Sequence, residues 1–196
     1  MYNRKDAFYK KAKQTGYRSR AAYKLLELSE TFRLIKRGNR VIDLGAWPGG
    51  WVQVAAELVG PHGKVLGIDL AKIEPLKKDN VILVRGDVTD AHQEQLLLTL
   101  LDGPADILLS DMAPKLSGIR EVDEARCQEL THAALSCTTH LLRPGGALLL
   151  KAFMDTTHKT LLAELRQIFT TVKTTKPEAT RKGSAETYIV ATGLRG

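Results

Sequence analysis

Strand and helix alternate along this chain, and the alternation restricts the available folds more than any other feature. Short apolar runs at Arg40–Leu44, Lys64–Asp69, Val81–Arg85, Asp106–Asp111 and Ala147–Lys151 read as buried strands. Helical spacing fills the gaps, over Gly50–Val59, His92–Leu101, Val122–Leu142 and Thr157–Phe169. Two closing strands are expected near Thr171–Lys176 and Glu186–Thr192. Such an order builds an α/β domain: a mostly parallel seven-stranded sheet, helices on both faces, and an antiparallel member at the edge. Pro144-Gly145-Gly146 predicts the tight turn from a long helix into a buried strand. Upstream, Ser19 is the candidate N-cap of a helix reaching Phe32, which Lys36-Arg37-Gly38-Asn39 ends. With 196 residues the chain fills one such domain and not two, so residues 1–196 read as a single unit.

Charge is distributed unevenly. The net charge is +7, yet residues 1–40 hold twelve Lys or Arg against three acids, leaving the remainder slightly acidic. About residues 1–38 therefore read as a basic N-terminal extension and helix facing a polyanion. Arg4, Lys5, Lys10, Lys11, Lys13, Arg18 and Arg20 are its candidate contacts. Six of the eleven aromatic residues lie in the same segment, and aromatic faces beside cations suit unpaired bases. The competing reading is a solvated tail followed by a helix with core aromatics. Cys127 and Cys137 have no CxxC spacing and read as reduced packing residues of a cytoplasmic protein. Neither a membrane span nor a secretory leader is expected, because no apolar run is long enough.

In an open parallel sheet, ligands bind beyond the carboxyl ends of the strands. The first strand runs into Asp43-Leu44-Gly45-Ala46-Trp47-Pro48-Gly49-Gly50-Trp51, a glycine loop without the dinucleotide spacing. Asp69 closes the second strand, placed to accept from ribose hydroxyls, and Asp87 follows the third, placed to accept from an adenine amino group. Carboxylates at three successive strand ends suit a cationic adenosine compound lacking phosphate. S-adenosylmethionine has that constitution. The alternative, that each aspartate merely caps the next helix, covers any one of them better than all three.

The run Asp43-Leu44-Gly45, Pro48-Gly49-Gly50-Trp51, then Ser110-Asp111-Met112-Ala113-Pro114 and the strand-end Lys151, resembles the FtsJ/RrmJ ribosomal RNA 2′-O-methyltransferases from about Gly16 to Thr192. The resemblance implies a class I, Rossmann-like methyltransferase fold, S-adenosylmethionine as donor and no metal. It implies a catalytic set of Lys24, Asp111, Lys151 and Glu186, and cofactor contacts at Asp43, Gly45, Pro48, Gly49, Gly50, Trp51, Asp69, Asp87 and Asp111. As substrate it implies a uridine of large-subunit ribosomal RNA inside a ribosomal particle, met by a monomer. Trp47 stands where relatives carry a small residue, Lys115 where they carry Asn, and Ala152 where Val or Thr is frequent.

The chemistry asks for such a set. A ribose hydroxyl is a weak acid and a poor nucleophile, so it must be aligned with the methyl group and relieved of a proton. Lys151 serves either as base or as a charged stabiliser of the forming alkoxide; the sequence leaves both open. Asp111 would orient it, Glu186 would position a lysine or the ribose, and Lys24 would steady the charge and a phosphate. Rival chemistries find less support. Asp111-Met112-Ala113-Pro114 is not the Asn/Asp-Pro-Pro-Tyr/Phe run of amino-group methylation, neither cysteine follows a proline, and the five histidines are scattered. Methylation of transfer or other RNA, and a catalytically silent RNA-binding assembly factor, are the alternatives kept.

Overall fold

The computed structural model describes residues 7–114, 117–181 and 183–196. Two helices, α1 (Ala7–Thr15) and α2 (Ala22–Phe32), precede the first strand. There follow β1 (Arg40–Leu44), α3 (Gly50–Val59), β2 (Lys64–Asp69), β3 (Val81–Arg85), α4 (Ala91–Leu101) and β4 (Ala105–Ser110). The chain continues through α5 (Arg120–Leu141), β5 (Leu142–Phe153), α6 (His158–Ile168), β6 (Phe169–Thr175) and β7 (Glu186–Leu194). The sheet order is β3-β2-β1-β4-β5-β7-β6. β1 pairs in parallel with β2 on one side and β4 on the other, so the order reverses there and opens the crevice where a ligand binds.

The expected antiparallel member is β7, which lies between β5 and β6. Its central residues are buried, whereas β6 at the edge is largely exposed. That placement matters for function: β7 runs against β5 with Lys151 opposite Tyr188 and Phe153 opposite Glu186.

Helices α4, α5 and α6 bury Leu97, Leu101, Ala134, Cys137, Leu161 and Leu165 on one face of the sheet. On the other face α2 and α3 bury Leu25, Leu28, Trp51, Val52 and Ala55. The near-continuous apolar strands answer this two-sided cover.

Two local expectations change. Ser19 does not cap α2, which starts at Ala22 behind Ala21 without a side-chain cap. Ser19 instead fills the space beside Gly50, where a Cβ would stand 2.3 Å from its Oγ. Nor does Pro144-Gly145-Gly146 precede the last long strand. β5 begins at Leu142 opposite Ala105, and the next partners are Ile107 and Ala147, so these residues bulge out of the strand.

Candidate active site

Three strands, β4, β5 and β7, and the inner face of α2 bring the first group of site residues together. Lys24, on the inner face of α2, is 8% exposed. Its Nζ lies 2.5 Å from Glu186 Oε1 and donates to the Tyr188 hydroxyl at 3.0 Å. Lys151 Nζ lies 2.9 Å from Asp111 Oδ1, donates to the Asp111 carbonyl at 2.9 Å, and stands 3.9 Å from Glu186 Oε2. The four residues of the expected catalytic set, far apart in the chain, thus converge.

Tyr188 joins them. Its hydroxyl donates to Asp111 Oδ1 at 2.6 Å, and Glu186 Oε1 lies 3.2 Å away. The ring is fully buried, beside Trp51 at 6.0 Å between centroids. Burial, reinforced by the Asp111 and Glu186 carboxylates, pushes this phenol far above its ordinary range, so it stays a donor. Sequence reasoning passed over it, although Glu186 and Tyr188 sit two apart on a strand and therefore share a face.

Asp111 is also a wall of a neighbouring cleft of about 320 Å³. Gly45, Trp47, Asp69 and Asp87 line it, with Leu70, Val88, Met112 and Leu130 as apolar walls. Leu70 and Val88 were not among the expected cofactor contacts, although each directly follows a strand-end aspartate, and that adjacency is the signal that could have found them. At Gly45 the backbone has φ +74°, and a Cβ would come 2.4 Å from Met112 Cγ, so only glycine lets the two loops close here. Trp47 is 60% exposed at the rim, its backbone N–H held by Asp69 Oδ2 at 2.9 Å. Asp69 Oδ1 accepts from Ala71 N at 2.8 Å. Asp87 Oδ1 accepts from Thr89 N and Oγ1, and these bonds hold its carboxyl below the usual range. The helix cap of α4 is Asp90, so Asp69 and Asp87 are not spent as caps.

Asp43 lies 1% exposed beside this cleft, and its Oδ2 has no hydrogen-bond partner. Burial, then the charges of Asp111 and Asp69, raises its pKa well above the usual carboxylate range. No basic side chain is among the residues that line the cleft. A ligand bringing a cation and hydroxyl donors fits this donor set, and a phosphate does not.

The rest of the glycine loop turns the other way. Arg18 donates to the carbonyls of Pro48 (3.2 Å), Glu74 (2.5 Å) and Pro75 (2.8 Å), and its guanidinium occupies the space beside Gly49. Trp51 is buried and donates from Nε1 to Ala21 O at 2.8 Å. Pro48, Gly49, Gly50 and Trp51 therefore also brace the loop against the α1–α2 connection.

The basic segment also divides. Lys10, Lys11 and Lys13 are exposed on α1, Lys11 Nζ 4.7 Å from the Tyr23 ring centre and Lys13 Nζ 5.4 Å from that of Tyr9. Arg18 is differently engaged, its guanidinium held as a staple by the carbonyls of Pro48, Glu74 and Pro75. Arg20 likewise donates to the Ala179 carbonyl. Phe8 and Tyr17 pack on Tyr23 at 5.7 Å each, a small core rather than a platform for bases. Arg4, Lys5 and Lys115 lie outside the described residues.

Comparison with known proteins decides the family. Residues 17–194 match the FtsJ-like methyltransferase family. The chain belongs to that family. It is accordingly an enzyme. Ribosomal RNA large subunit methyltransferase E of Methanothrix thermoacetophila is 46% identical over 98% of this chain and 74% of its own length. The enzyme of the same name from Paramagnetospirillum magneticum is 46% identical over 97% of this chain and 80% of its own. A Plasmodium falciparum crystal structure, assigned as a ribosomal RNA methyltransferase, superposes with a TM-score of 0.80 at 30% identity, covering 92% of this chain and all of that one. This FtsJ-like methyltransferase has its charged cluster and its acidic cleft side by side, with Asp111 in both. Among the described residues, no group of His, Cys, Asp and Glu could hold a metal ion, and no helix is long and apolar enough to cross a membrane.

Proposed function

We propose that this protein transfers a methyl group from S-adenosylmethionine to a ribose 2′-hydroxyl of large-subunit ribosomal RNA, at a uridine presented in a ribosomal particle. It acts as a cytoplasmic monomer. The observation that carries the reading is the convergence of Lys24, Asp111, Lys151 and Glu186 against a cleft whose donor set suits a cationic adenosine compound. The relatives' names supply the ribosomal substrate.

When bound, S-adenosylmethionine supplies an activated methyl group. Asp43 would take its amino group, Asp69 its ribose hydroxyls and the free oxygen of Asp87 its adenine amine, while Leu70 and Val88 exclude water from the ring. Lys151 is held by acceptors on Asp111 and Glu186, an arrangement that supports its acting as a charged donor to the forming alkoxide. Glu186, fixed by Lys24 and Tyr188, keeps an oxygen on the Lys151 side. Lys10, Lys11 and Lys13 would meet phosphates away from the reacting centre.

The test uses large ribosomal subunits from a strain lacking the protein, purified enzyme and labelled donor. One new 2′-O-methyl nucleotide in the RNA is the expected result. Transfer to transfer RNA and not to subunits would replace the substrate, and RNA binding without transfer would make the chain a silent assembly factor.

A further inference from the structure

Beyond the end of β5 a second cavity, of about 150 Å³, opens between α5 and the segment leading into α6. Gln128, Thr131 and His132 face it from α5, and Phe153 and His158 from the opposite wall. The reaction proposed above gives it no role. Three observations do.

Its size is that of one six-membered ring, since cavities of about 150 Å³ hold benzene. Asp155 and Thr157 of its lining bond each other, but part of its polar inventory is unspent. His158 is 7% exposed with Nδ1 unpartnered, a state that costs free energy unless something fills it. The side chains of Gln128 and His132 make no hydrogen bond among the described residues. Thr131 Oγ1 spends its proton on the Cys127 carbonyl, which leaves it an acceptor. Finally, the cavity leads to the chemistry. Cys127, Thr131 and Phe153 also line a narrow groove whose other walls include Lys151, Met112 and Pro114.

We propose that this cavity receives the pyrimidine ring of the nucleotide being methylated, with Phe153 against the ring face and Gln128, His132 and His158 at its polar edge. The inference rests on the 2′-hydroxyl reading above. A ribose held at Lys151 carries its base on a neighbouring ring carbon, and the groove lined by both Lys151 and Phe153, two residues apart on β5, leads from one position toward the other. A pyrimidine edge offers carbonyl acceptors and a ring N–H, and amide, imidazole and hydroxyl groups answer both kinds.

The probe is the unmethylated large subunit. Thr131→Phe fills the cavity and Gln128→Ala removes a polar group from its edge. Expected are a KM for subunits raised about tenfold or more by the first and about threefold or more by the second. Donor affinity by calorimetry stays within about twofold of wild type in both. If Thr131→Phe does not fold, Gln128→Ala carries the test. Wild-type KM in the folded variants overturns the proposal, and so does a fall in donor affinity matching the rise in KM. Wild-type enzyme that methylates no subunit overturns the underlying reading instead.

Discussion

The catalytic cluster and the cofactor cleft share Asp111 but have opposite electrostatic states. In the cluster two amines face two carboxylates, each within hydrogen-bonding reach of an opposite charge, and a buried phenol ties them together. The cleft is lined by Asp69, Asp87 and Asp111 with no cation among its lining residues, and Asp43, buried beside it, keeps an oxygen unpaired. One region is complete as it stands. The other is short of a positive charge, and its deficit is a description of its ligand. A site of this kind spends folding energy on an acid that only binding relieves.

The sharpest way to separate the two regions is Lys151→Ala. It removes the group placed at the reacting oxygen and leaves the cleft intact. We expect kcat to fall by about 10³-fold, with donor affinity changed by no more than about threefold. Single-turnover transfer and calorimetry read the two quantities. In wild type, a kcat rising about tenfold per pH unit through neutrality would make Lys151 the base rather than the charged stabiliser.

Asp43→Asn tests the cleft from the other side. Donor affinity should drop by roughly 10- to 100-fold, while the free protein gains about 1–2 kcal/mol of stability near neutral pH. The sign follows from linkage. Folding raises the Asp43 pKa, by burial first and then by Asp111 and Asp69, so the folded state holds that proton more tightly than the unfolded chain. Stability from this group is present below the ordinary carboxylate pKa and is lost as pH rises toward the raised value. The melting-temperature gap between Asp43→Asn and wild type should therefore widen with pH. A constant gap would show that folding leaves the Asp43 pKa unchanged, its carboxylate being well accommodated where it lies.

These two regions also differ in how much the sequence disclosed. Strand ends are legible because apolar runs stop at a charged residue, which singled out Asp69 and Asp87 from the residues themselves. The family motif added Lys24, Asp111, Lys151 and Glu186. Tyr188 shares a strand face with Glu186, but the β5–β7 register that sets it opposite Lys151 is a pairing no local pattern encodes. Arg18 looked like one more cation in a basic segment, and nothing near it revealed that carbonyls at Glu74 and Pro75 would claim it. The same long-range closure sets Arg18 against Gly49 and Ser19 against Gly50. Composition suggests a partner, but only packing tells which cations remain free to meet it.

That distinction gives a smaller effect to measure. Replacing Lys10, Lys11 and Lys13 together by Ala should weaken binding to large subunits by about tenfold. It should also flatten the salt dependence by roughly one unit of slope for each phosphate no longer neutralised. Arg18→Ala should lower the melting temperature and leave that slope unchanged. An equal change of slope in both would mean that the Arg18 staple opens when RNA arrives.

Tyr188→Phe should give the smallest effect, because it removes a hydroxyl without leaving any charge alone. Asp111 Oδ1 keeps Lys151 at 2.9 Å, and Glu186 Oε1 keeps Lys24 at 2.5 Å. The phenyl ring still fills the space beside Trp51. What disappears is the link between the two ion pairs, worth about 1 kcal/mol as a buried hydrogen bond, so kcat should fall only a few-fold. Melting temperature and kcat should drop together if the phenol acts by holding the carboxylates in place. A loss of about 100-fold with unchanged stability would place its proton in the reaction itself, and the cluster would then not be complete without it.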